Sequence, residues 1–150
     1  MIPVNQTVFG GRKGNCFSAC IAALLELPIE EVPTFCENRE TWLADLQAWL
    51  RPRGYFYLDI KFASDGARAD LLPVFGYHVI SGDGERGCRH SVIGLAGEMI
   101  HDPLPNGTGL IANETIEYGF LIPLDPMTGC CKPGDDSYAG RTVAELGAGC

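Results

Sequence analysis

The chain has 150 residues, of which 46% are hydrophobic and 20% charged, and its formal net charge is -8. Those proportions suit one globular domain with a buried core and argue against wholesale disorder. The acidity, with no Lys/Arg-rich run to offset it, argues against a nucleic-acid partner, because binding phosphates needs a basic surface.

The longest apolar stretch, Phe17 to Leu25, includes Ser18 and Cys20 and is too short to span a bilayer, so no membrane partner is expected. Met1 to Gln6 lack the basic start and apolar run of a secretory signal, which points to a reducing cytoplasm. The seven cysteines are odd in number and form no CxxC pair. A disulfide framework, a zinc ribbon and a thioredoxin-type site are therefore all disfavoured. Cys88, His90, Cys130 and Cys131 have poor spacing for a tetrahedral zinc site. No metal or other cofactor is expected.

In chain order, residues 2–9 read as an extended lead-in and Gly10 to Gly14 as a glycine-rich loop. An Ala- and Leu-rich helix follows from Asn15, a good N-cap, and Pro28 stops it after Leu27. Its apolar content is high on nearly all sides, so it should be central and buried. A second helix is predicted from about Arg39 to Leu50. Asn38 is its candidate cap, and Trp42, Leu43, Leu46, Trp49 and Leu50 fall on one face. Strands are predicted at 55–62, 74–80, 90–95, 98–101 and 115–122, with a loop or turn over 81–87 and a tight turn at Ala96-Gly97. Helices followed by an antiparallel meander make an α+β domain over 1–126. Residues 127–150 read as a Gly-rich C-terminal tail, in which 141–146 is expected to form a short helix.

The chemistry centres on Cys16. A thiol at the first helical position, behind a glycine loop, meets the positive end of the helix dipole and free backbone N–H groups. Both favour the nucleophilic thiolate. The base is sought among three histidines, His78, His90 and His101. His90 opens a strand behind a loop. If 90–95 and 98–102 pair as a hairpin, Asp102 comes near enough to fix its tautomer. Asp102 and His101 alternate in direction along a strand, so His101 is expected outside this site. His78, Trp42, Trp49 and Cys20 read as structural, and Asp135-Asp136 as solvated tail.

Gly14-Asn15-Cys16-Phe17 before an Ala-rich helix resembles the Gly-Ser-Cys-Trp start of papain-like enzymes, and Gly87 to Gly94 resembles their histidine strand. Met99-Ile100-His101-Asp102-Pro103, with Gly107 beyond, is most similar to the bacteriocin-processing double-glycine peptidase domains of ABC exporters. The resemblance spans roughly residues 5 to 110, and the order Cys, His, Asp with the hairpin spacing is its specific part. It implies a papain-like fold in which a Cys-bearing helix packs on an antiparallel sheet carrying His and Asp. It also implies a glutamine upstream of the cysteine that stabilises the oxyanion. The family's usual position, six residues before the cysteine, is Gly10 here, and Gln6 lies ten before it. Asn5 and Asn15 are further candidates for that role.

These readings point to a cysteine-nucleophile hydrolase or acyl transferase with Cys16, His90, Asp102 and Gln6 as its catalytic residues. Its substrate would be a peptide, protein, isopeptide or side-chain amide. Hydrolysis, deamidation and transglutamination use the same groups. The exporter resemblance implies cleavage after small residues such as Gly-Gly. The alternative is a catalytically inactive binding or inhibitory module on the same fold, of a kind that phages and mobile elements encode. Gly10 at the usual glutamine position is its main support.

Overall fold

The computed structural model describes residues 1–10, 13–62, 65–74, 76–112 and 116–125. The tail and its expected helix therefore lie outside the described residues.

Helix α1 spans Cys16–Leu25, and its residues 17–23 are all buried. It stops at Leu25 rather than Leu27. Glu26 takes a left-handed conformation (φ 57°), and Leu27 N–H bonds to the Ala22 carbonyl at 2.9 Å, closing the last turn before Pro28 is reached.

Helix α2 spans Trp42–Leu50, a shorter element than the 39–50 expected. Asn38 does not cap it. Its Oδ1 accepts Glu40 N–H at 3.1 Å in a local turn that uses up the residues before Thr41. Leu46 and Leu50 are buried, Trp42 and Trp49 pack on the core while partly exposed, and Leu43 faces out at 38% exposure. The guanidinium of Arg53 stacks 3.8 Å above Trp49.

The strands are β1 Tyr55–Ile60, β2 Tyr77–Asp83, β3 Arg89–Leu95, β4 Glu98–His101 and β5 Glu117–Pro123. They form one antiparallel sheet in the order β1-β5-β2-β3-β4. The architecture is α+β, as expected, but only β2, β3 and β4 make a meander. β5 returns between β1 and β2. β2 starts later than expected, after a 3₁₀ turn at Leu72–Val74, and continues through Asp83. A short helix, α3, covers Asp65–Leu71, where no element was expected.

Alternate strand residues sort into two apolar clusters, as a two-residue period requires. Tyr57, Val79 and Ile93 join Phe17, Cys20, Ile21, Leu46 and Leu50 in the larger one, so α1 and α2 cover this face of the sheet. Ile80, Val92, Tyr118 and Phe120 gather with Leu72 in the second. His78 belongs with this second group, packed beside Tyr118 and Phe120. Among the described residues no helix is long and apolar enough to cross a membrane. The described cysteines, Cys16, Cys20, Cys36 and Cys88, are free thiols.

Candidate active site

Cys16 opens α1 and lines a cleft of about 860 Å³ together with Gln6, Gly14, Phe17, His90 and Ser91. The buried helix fixes the cysteine, and Gly10 and Gly14 line the cleft with it. Asn15 stands at the N-cap but makes no capping bond with its side chain. The first helical N–H groups thus stay available. Burial on its own raises the Cys16 thiol. A hydrogen bond from His90, its positive charge, and the backbone N–H groups of Ser91 and Phe17 outweigh that and leave the thiol below its ordinary value.

His90 is the second residue of β3 and is 5% exposed. A turn over Gly84–Cys88 packs on it, close enough that a Cβ at Gly84 would sit 3.2 Å from the Cβ of His90. Its Nε2 lies 2.7 Å from Asp102 Oδ1. Burial lowers the imidazole, but hydrogen bonds to Cys16 and Asp102, with the charges of both, raise it above its ordinary value. A thiol pushed down beside an imidazole pushed up is the signature of a thiolate–imidazolium pair.

Asp102 follows β4. Its carboxylate accepts Leu104 N–H at 2.8 Å on Oδ1 and Gly109 N–H at 3.0 Å on Oδ2, in addition to His90. Gly107 presses on it: a Cβ there would stand 2.1 Å from Oδ2. β3 and β4 pair as the hairpin that the sequence predicts, turned at Ala96-Gly97, where both φ values are positive.

Gln6 lies at the cleft too, 4% exposed. Its backbone N–H donates to the Pro103 carbonyl at 2.9 Å, and its Nε2 to the Val8 carbonyl at 3.2 Å. Its Oε1 is buried and meets no donor among the described residues. The Asn15 carboxamide is bonded to Thr7 and Val8, and Asn15 does not line the cleft. Asn5 is exposed and does not line the cleft.

The other candidates fall outside the cysteine–imidazole contact. His101 Nε2 donates to the Val4 carbonyl at 2.9 Å and holds the N-terminal segment against β4. His78 bonds to the Gly76 carbonyl at 2.8 Å. Cys20 is wholly buried, which holds its thiol well above the ordinary range. Sequence reasoning missed Cys36, which lines the same cleft. Burial, then the Cys16 charge, push its thiol up to about 11 against the opposing pull of Arg89. It also missed Trp42 and Tyr57 as cleft walls. Their amphipathic positions signal core, and nothing in their spacing marks an exposed edge. Among the described residues no group of three or more His, Cys, Asp or Glu side chains could hold a metal ion.

No protein-family model matches the chain, and neither a curated protein nor a solved structure matches it.

Proposed function

We propose that the chain is a papain-like cysteine hydrolase or acyl transferase acting on a peptide, isopeptide or side-chain amide. One observation carries the reading. Cys16 and His90 share a hydrogen bond at an open cleft and Asp102 bonds to His90, with the thiol lowered and the imidazole raised.

In this mechanism the Cys16 thiolate attacks the substrate carbonyl carbon. The oxyanion that forms takes hydrogen bonds from the Cys16 backbone N–H and the Gln6 carboxamide. His90 gives its proton to the leaving amine as the C–N bond breaks, and a thioester remains. His90, now neutral, takes a proton from water or an acceptor amine, which attacks the thioester and restores the thiol–imidazole pair. Asp102 keeps the ring oriented throughout. The inactive-module alternative drew its support from Gly10 at the customary glutamine position. Gln6 lines the cleft, which favours the enzyme reading over that alternative.

The test is acylation by p-nitrophenyl acetate. A p-nitrophenolate burst with one acetyl group on Cys16, absent in Cys16→Ser and His90→Ala, is the expected result. A wild-type chain that alkylates at Cys16 but never acylates there would remove the enzyme reading.

A further inference from the structure

Asn15 is buried, 6% exposed, and spends its whole side chain on one short segment. Oδ1 accepts Thr7 N–H at 3.0 Å and Val8 N–H at 2.9 Å, and Nδ2 donates to Thr7 Oγ1 at 3.0 Å. Its backbone N–H adds a bond to the Val8 carbonyl at 3.2 Å. Four bonds thus close the base of the loop between Val8 and Asn15. The same Val8 carbonyl also receives Gln6 Nε2, so one peptide group ties Asn15 to Gln6.

An asparagine at a helix N-cap ordinarily gives Oδ1 to the second or third helical N–H. Here the cap is forgone. The Phe17 N–H, the second helical amide, is left to the Cys16 thiolate. The glycine loop is pinched off at its base, so Gln6 reaches the cleft although it lies ten residues before the cysteine.

We propose that Asn15 is a positioning residue for the oxyanion side of the site: by fastening Thr7 and Val8 to the start of α1 it holds the Gln6 carboxamide at the cleft. The proposal rests on the acyl-transfer reading above. On the far side of the segment, Pro103 holds the Gln6 N–H and His101 holds Val4. The segment is therefore clamped between the helix that bears the nucleophile and the loop that bears Asp102.

Two reactions of Cys16 separate this role from a merely structural one. Attack on p-nitrophenyl acetate passes through an oxyanion: sulfur bonds to the carbonyl carbon and p-nitrophenolate leaves with its electron pair. Displacement of iodide from iodoacetamide passes through none. Both need the thiolate, so the ratio of the two rates at one pH cancels the thiolate fraction. Asn15→Ala is expected to lower that ratio by roughly tenfold to a hundredfold, at or somewhat below the loss of a full oxyanion donor. Gln6→Ala should lower it by a similar factor, and the double variant little further, because the two act as one unit. Asn15→Asp keeps the acceptor for Thr7 and Val8 and should restore most of the ratio. A wild-type ratio in Asn15→Ala, an alkylation rate that falls in step with acylation, or an Asp variant no better than Ala would overturn the proposal. Wild-type protein that fails to acylate would overturn the enzyme reading along with it.

Discussion

The Nε2 atom of His90 lies 2.7 Å from Oδ1 of Asp102, and that same oxygen accepts Leu104 N–H at 2.8 Å while Oδ2 accepts Gly109 N–H. The carboxylate is thus held from both sides by donors, a setting that only an acceptor at both atoms can satisfy. Asp102→Asn puts an NH₂ group against one of those donors, whichever way the amide turns. It also removes a hydrogen-bonded negative charge that helps to keep His90 protonated. The expected outcome is a fall in acylation of roughly a hundredfold, the low end of what general acid–base catalysis supplies. The alkaline limb of the pH–rate profile should move to lower pH, since His90 then surrenders its proton sooner. An unmoved limb would separate Asp102 from the titration of His90.

Thiol reactivity should sort the cysteines by site. Cys16 lies below its ordinary value, whereas burial and its neighbours push Cys36 up to about 11 and Cys20 far up. Iodoacetamide at neutral pH should therefore mark Cys16 well ahead of Cys36, as read by mass spectrometry of each peptide. In His90→Ala the raising effect of burial is left unopposed but for the backbone N–H groups, so the Cys16 inflection should move up toward or beyond the ordinary thiol range. The thiolate's contribution to stability is lost as pH falls through the lowered Cys16 value. The imidazolium's is lost as pH rises through the raised His90 value. Equal rates at Cys16 and Cys36, or indifference to His90, would dismiss the pair.

Gly107 is expected to be intolerant of substitution, because a Cβ would stand 2.1 Å from Asp102 Oδ2 and 2.5 Å from Cγ. The carboxylate cannot retreat without losing Gly109, Leu104 or His90. Gly107→Ala should cost about 1–3 kcal/mol, the usual range for overpacking, and reduce acylation with it. Gly76→Ala is the control, since a Cβ there meets nothing within 4 Å. Urea midpoints for the two variants check this, and equal midpoints would rule out the contact.

The parts of the site that were readable in the sequence are those set by neighbours in the chain. The Cys16 helix follows from an Ala/Leu run after a glycine loop, and the β3–β4 hairpin from two strand patterns around Ala96-Gly97. Together they bring His90 and Asp102 into contact. Long-range placement left no such mark. The insertion of β5 between β1 and β2 depends on pairings such as Val79 with Gly119, which no local pattern encodes. Asn15 was legible as a helix-starting residue, but its buried side chain spends its acceptor on the Thr7 and Val8 N–H groups, eight and seven residues back, rather than on the helix it starts. Gln6 could be named only through resemblance. Its approach to the cleft depends on how the intervening loop closes.

His78 should make the fold sensitive to acid. It is buried on the face of the sheet away from α1, its Nδ1 donates to the Gly76 carbonyl at 2.8 Å, and its Nε2 has no partner among the described residues. A Cβ at Gly94 would lie 2.6 Å from that Nε2, so there is little room for a second donor or water. Burial lowers the imidazole against the weaker upward pull of the Gly76 bond, and the folded chain therefore holds His78 neutral. Below about pH 6.5 the unfolded chain binds a proton that the folded chain refuses. Stability present above that pH is then lost as the solution is acidified toward the lowered value. His78→Asn retains a donor for the Gly76 carbonyl and removes the titration. Its urea midpoint should start lower because of the smaller side chain, yet fall less steeply with acid than the wild type's. Parallel slopes for the two proteins would mean that His78 is free to take up its proton in the folded state.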